Sequence, residues 1–208
     1  IARSAEGAAD AGTILLKNQF DNYFNRGVET VVFDDGTAWS QADIRARLIA
    51  ESQTAGDDRV LGSNVADTLR GGKGDDYLNG GEGSDSYHYA QGDGNDTIVE
   101  SINSGRGDQL ALEGIATGQV SLTRSGNDVT LHIAASAEGA ADAGTILLKN
   151  QFDNYFNRGV ETVVFDDGTA WSQADIRARL IAESQTAGDD RVLGSNVADT
   201  LRGGKGDD

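Results

Sequence analysis

Two consecutive stretches, GGKGDDYLN (residues 71–79) and GGEGSDSYH (residues 80–88), decide how this chain folds. Each opens on a glycine pair, carries an aspartate at its sixth position and an apolar residue two places later. The register extends beyond them. Asp58, Asp67, Asp76 and Asp85 fall nine residues apart, and Asp96 follows eleven residues on, after an insertion at Tyr89-Ala90. Two places after these aspartates stand Val60, Leu69, Leu78, Tyr87 and Ile98. Two places before them stand Gly56, Gly74, Gly83 and Gly94, with Val65 in the remaining, degenerate turn. A flexible glycine-rich linker has no reason to keep such a register. Very short strands, each turning one apolar side chain inward and separated by glycine loops, do have one.

The residue types in the loops point to a ligand. Glycine tolerates positive φ and lets backbone carbonyls converge without a Cβ in the way. The aspartate adds a carboxylate. Carbonyl and carboxylate oxygens together suit a hard cation that takes six to eight oxygen ligands, which is calcium. The chain has no cysteine and only two histidines, which argues against zinc. Residues 53–100 carry ten acidic and three basic side chains. One apolar side chain per turn buries little against the entropy of ordering a glycine-rich backbone. This segment is therefore expected to be disordered without metal and to fold when calcium neutralises it.

On these residues the segment 53–100 resembles the RTX, or haemolysin-type, calcium-binding repeat, whose consensus is GGxGxDxUx. The resemblance implies an all-β fold built on a right-handed parallel β-roll, with calcium between the loops of turns i and i+2. It implies that Asp58 pairs with Asp76, Asp67 with Asp85, and Asp76 with Asp96. Backbone carbonyls of Gly72, Gly74, Gly81 and Gly83 would complete the shells. In the second copy of the motif it implies a pair of Asp190 with Asp208. Asp93 and Asp199 are further candidates in the same turns. Asp108, followed by alternating Gln-Leu-Ala-Leu, is a candidate late ligand at the exit of the roll.

A longer period encloses the short one. Residues 1–76 match residues 133–208 at an offset of 132, and only Arg3 against Ala135 differs. A window on a tandem array of 132-residue units accounts for this better than an engineered duplication. The expected divisions are the end of one unit (1–52), a roll (53–100), a β-rich capping segment (101–184, with a helix over 172–183) and the start of the next roll (185–208). On that reading the natural N-terminus lies upstream. Near-identical repeats that touch mainly their neighbours serve as spacers or scaffolds.

The capping segment alternates apolar and polar residues. "QVSLTRSGNDVTLHI" (119–133) predicts an antiparallel hairpin turning at Ser125-Gly126-Asn127-Asp128. "DQLALEGI" (108–115), "GTILLKNQF" (144–152) and "VETVVFDDGT" (160–169) predict further strands. Ser172 opens a helix, with Asp175 closing a capping box. Ile176, Leu180 and Ile181 form its apolar stripe near Trp171, and Arg177 and Arg179 lie on the solvated side. The same pattern recurs at 12–51. This block resembles the β-rich segment that follows the repeats in haemolysin-type proteins, more loosely than the nonapeptides do.

Several other features are read as ordinary structure. Arg106-Gly107-Asp108 spells the tripeptide that integrins recognise, but a Gly- and Asp-rich stretch yields it by chance. His88 and His132 are expected to be surface or hydrogen-bonded residues. Phe152, Tyr155 and Phe156 could stack on a sugar, and packing is the favoured reading. No nucleophile motif appears, so no enzymatic site is expected.

Net charge is −17, from 34 acidic against 17 basic side chains, which argues against nucleic-acid binding. No apolar run reaches membrane-spanning length, so no membrane insertion is expected, and no signal peptide is evident. The expected partners are calcium ions, neighbouring repeat units of the same chain and, by the resemblance, a type I secretion machinery of a Gram-negative bacterium. The leading expectation is a secreted, adhesin-like spacer; the alternative is the accessory roll of an RTX enzyme.

Overall fold

The computed structural model describes residues 12–20, 27–101, 107–153, 158–194 and 197–208. Arg106, Tyr155 and Phe156 lie outside the described residues. Among the described residues the regular structure is mostly strand, with two short α-helices, and the chain divides into two compact units, Ile1–Arg47 and Leu48–Asp208.

The first unit contains a two-stranded antiparallel sheet, β1 (Thr30–Val32) with β2 (Ala38–Ser40). Helix α1 (Gln41–Glu51) begins in this unit, its first turn closed by Ser40 and Asp43.

The second unit begins with short strands that start nine residues apart, with a longer step before the last. These are β3 (Arg59–Ser63), β4 (Thr68–Arg70), β5 (Tyr77–Gly81), β6 (Ser86–Ala90), β7 (Asn95–Val99) and β8 (Gln109–Glu113). Successive strands go alternately to two sheets. β3, β5 and β7 pair in parallel in one, and β4, β6 and β8 pair in parallel in the other. Within a strand, side chains alternate between core and surface. The residues two places after each aspartate are therefore in register as well as buried. Val60, Leu78 and Ile98 form one row, and Leu69, Tyr87 and Leu110 the other. Tyr89, at the insertion, lies in β6 and is buried, and its hydroxyl donates to Gly94 O at 2.8 Å. On an outer face, Arg70 makes two hydrogen bonds to Glu113, which His88 also contacts at 2.8 Å.

The rest of the unit does not simply flank this core with antiparallel strands, as expected from the sequence. β11 (Gly144–Lys149) continues the first sheet in parallel with β7, and β12 (Thr162–Phe165) continues the second in parallel with β8. Leu148 extends the Val60 row and Val163 the Leu69 row. The ladders thus outrun the glycine motif, because an apolar strand can pair with the last turn without supplying a loop of its own. Antiparallel pairing enters only beyond. β9 (Val120–Ser125) and β10 (Asp128–Ile133) form the predicted hairpin, and β10 then pairs with β11. β13 (Ala170–Ser172) pairs with β12.

Helix α2 (Gln173–Glu183) has the predicted capping box at Ser172 and Asp175 and buries Ile176 beside Trp171. Its arginines correct the expectation of a solvated side. The Arg179 guanidinium covers the Trp171 ring at 3.8 Å, and that of Arg177 covers Phe152 at 4.7 Å. Long side chains lay their apolar stems and planar heads over aromatic faces at the rim of a core.

The duplicated sequence is a controlled comparison. Ile14 is 67% exposed, whereas its copy Ile146 is wholly buried against the β7 edge. Phe33 is 37% exposed and its copy Phe165 2%. The residues are identical, so burial of this block follows from the parallel edge it docks on, not from its own sequence.

Candidate calcium sites

The turns between these strands form two columns of loops, because alternate turns face the same edge. In one column Thr54–Asp58, Gly72–Asp76 and Gly92–Asp96 follow one another; in the other, Ser63–Asp67 and Gly81–Asp85 precede Asp108. The stacking is too close for side chains. Gly81 has φ +95°, and a Cβ there would lie 1.9 Å from Ser63 O. Gly83 has φ +132° and faces the Val65 backbone in the same way. Gly72 and Gly74 repeat these conformations one turn earlier.

Each column is tied by its aspartates. The Asp58 N–H donates to Asp76 Oδ1 at 2.7 Å, and the Asp76 N–H to Asp96 Oδ1 at 3.1 Å. In the other column the Asp67 N–H donates to Asp85 Oδ1 at 2.8 Å, and the Asp85 N–H to Asp108 Oδ1 at 2.8 Å. The Asp108 N–H passes the pattern to Glu161 Oε2 at 2.8 Å. All three expected pairs of the complete roll are thus brought together, and Asp108 joins them through Asp85. A second, outer ladder was not foreseen. The Asp75 N–H donates to Asp57 Oδ1 and the Asn95 N–H to Asp75 Oδ1.

The other carboxylate oxygen separates the aspartates into two kinds. Asp58 Oδ2 accepts from the Thr54 N–H, and Asp67 Oδ2 accepts from the N–H and hydroxyl of Ser63. At the corresponding positions the next turns carry Gly72 and Gly81, with no hydroxyl. There Asp76 Oδ2 and Asp85 Oδ2 are buried with no hydrogen-bond donor. Each lies 2.1 Å from the position a Cβ would take on Gly71 or Gly80, so only glycine leaves room for it. A buried anionic oxygen without a partner is costly. A calcium ion beside it would supply the missing charge, and carbonyls of the same loops are the oxygen donors such an ion takes. The residues present therefore fit the ion that the repeat implies.

Electrostatics agree with this. Burial raises the Asp85 carboxyl to about 6, helped by the charges of Asp108 and Asp67. Burial raises Asp96 to about 7, with Asp76 adding to it. Asp76 and Asp93 are raised too, burial again being the main cause. Asp93 sits at a loop tip, where its carboxylate accepts from its own turn's Ala90 N–H at 2.7 Å.

In the second copy, the Asp190 N–H donates to Asp208 Oδ1 at 3.0 Å, and Thr186 bonds the Asp190 carboxylate as Thr54 bonds Asp58. Asp208 is exposed, and residues 191–194 form no strand. In the first copy the corresponding strand, β3, is held by β5. Asp199 lies beside Gly194, in the field of Arg177.

Comparison with known families matches both halves of this description. The model of the RTX calcium-binding nonapeptide repeat matches residues 53–87 and 185–208. The chain carries RTX calcium-binding repeats. A second model, the haemolysin-type calcium binding protein related domain, matches residues 9–43 and 131–175, the duplicated β-rich block. No curated protein matches the chain.

Sequence reasoning missed Glu100 as a site residue. It is buried beside Asp85 and Asp108, and each of the three places a carboxylate oxygen within 4.8 Å of the others. The signal was its position at the end of β7, in phase with the inward Asp96 and Ile98.

Proposed function

We propose that residues 53–100 form a right-handed parallel β-roll that folds on calcium outside the cell, and that the unit is a rigid spacer in a secreted, adhesin-like RTX protein. The ligands are Asp58, Asp67, Asp76, Asp85, Asp93 and Asp96 with the carbonyls of Gly72, Gly74, Gly81 and Gly83. Asp108 adds a ligand at the exit, and Asp190, Asp199 and Asp208 begin the next roll. Residues 1–52 end a preceding unit, and 101–184 cap the roll.

The observation that carries this reading is the pair of buried, donorless oxygens, Asp76 Oδ2 and Asp85 Oδ2, each seated against a glycine. The alternation of parallel strands between two sheets supports the roll, and the duplication supports the spacer. Among the described residues no helix is long and apolar enough to cross a membrane. Calcium titration followed by circular dichroism tests the reading. Strand signal should rise cooperatively as calcium passes through about 10⁻⁴–10⁻³ M, the range of extracellular modules. A roll fully formed in chelator, with the same melting temperature as in calcium, refutes it.

A further inference from the structure

In the row of Gly62 and Gly80 the glycine gives way to a larger residue at the third place, and that residue is buried. Ser63 is opposite Gly81, which sets Gly62 opposite Gly80. Leu78 is opposite Ile98, and the same register carried two residues further sets Glu100 opposite Gly80. Gly62 and Gly80 leave no room for a side chain: their Cβ positions lie 2.1 Å from Gly80 O and from Asp85 Oδ2 respectively. At the next place in this row the chain has a glutamate, and it is buried. Its Oε1 accepts a hydrogen bond from the Tyr87 hydroxyl, which in turn accepts from the Gly80 N–H at 2.7 Å.

Asp85 Oδ2 points into this same pocket. It and the Tyr87 hydroxyl both crowd the space beside Gly80, at 2.1 and 2.6 Å from its Cβ position. Asp85 is wholly buried, and this oxygen has no hydrogen-bond donor. Asp108 closes the group, its Oδ1 held by the Asp85 N–H. Three buried carboxylates and a phenol oxygen thus converge where the glycine loops stop. The donor set is all oxygen and rich in charge, as a hard divalent cation requires.

We propose that Asp85, Glu100 and Asp108, with the Tyr87 hydroxyl, bind one calcium ion at the exit of the roll, in addition to the ions held between the glycine loops. The site is built from side chains, and Glu100 is its distinguishing ligand. It rests on the calcium-dependent reading of the repeats, in which Asp85 also serves the loop column.

Native mass spectrometry of the full chain in calcium tests it by counting ions. Glu100→Gln is expected to bind one ion fewer than the parent chain. Glu100→Gly restores the residue found at the two preceding places in the row and removes any question of a misfit amide. It too should bind one fewer, with an unchanged circular dichroism spectrum in calcium. A parent chain that binds calcium, with the same count in both variants, overturns this site and leaves the repeats untouched. A parent chain that binds no calcium overturns both.

Discussion

Replacing Asp85 by asparagine sets the cost of burying its carboxylate against its use as a ligand. Asp85→Asn keeps the shape of the side chain and an acceptor oxygen for the Asp67 N–H. It removes a charge whose carboxyl is raised from 3.8 to about 6, chiefly by burial. At 1.36 kcal/mol per pH unit, that displacement is worth about 3 kcal/mol between the neutral and ionised forms. The raised value means that the metal-free fold keeps this contribution below about pH 4, where the carboxyl is protonated folded or unfolded. It loses the contribution as pH rises through about 6. Near about pH 7.5 in chelator, asparagine should therefore stabilise the fold by up to about 3 kcal/mol. In calcium that advantage narrows. An ion bound at about 10⁻⁴ M contributes about 1.4 kcal/mol at about 1 mM calcium, and asparagine weakens every site that uses this carboxylate. Urea titration monitored by circular dichroism reads both arms. The variant should have the higher midpoint in chelator, calcium should raise its midpoint by less than the parent's, and its advantage in chelator should fade on acidification below about pH 5. A variant less stable under both conditions would show that protein donors already satisfy Asp85, and the inference from its lone oxygen would fail.

Three further outcomes are expected. Gly81→Ala should raise the calcium midpoint of folding or abolish folding, because φ +95° strains any L-residue and the new methyl would meet Ser63 O. Phe165→Ala should cost about 3–5 kcal/mol in thermal unfolding, while Phe33→Ala, the same change in the other copy, should cost less than about 1 kcal/mol. Ser172→Ala removes the acceptor for the Asp175 N–H and should cost about 1 kcal/mol, read as a lower melting temperature in calcium.

The nine-residue register made the core and the aspartate columns legible, since a strict period leaves each side chain one place to go. Val60 through Ile98 and the links from Asp58 to Asp96 follow from it. The hairpin at Gly126-Asn127 and the capping box at Ser172 were legible because short-range chemistry settles them. Parallel pairing of β11 and β12 was not. Alternation of apolar and polar residues is the same for a parallel and an antiparallel neighbour, and the partner strands are distant in sequence. The stacking of Arg177 and Arg179 depends on rings that the helix pattern does not contain. Nor does any local signal tell Ile14 from Ile146, which differ only in what surrounds them. Glu100 escaped notice because it stands where the motif has stopped repeating.

The columns have a kinetic side. Their aspartate links join residues 18, 20 and 23 positions apart, never a whole unit apart. Closing such short loops is fast, unlike the distant pairing that slows most β proteins. Each turn can set as soon as the second turn beyond it is available, so ordering can travel along the polymer like a zip fastener, each step preparing the next. A long protein assembled this way need never search its full length for a partner.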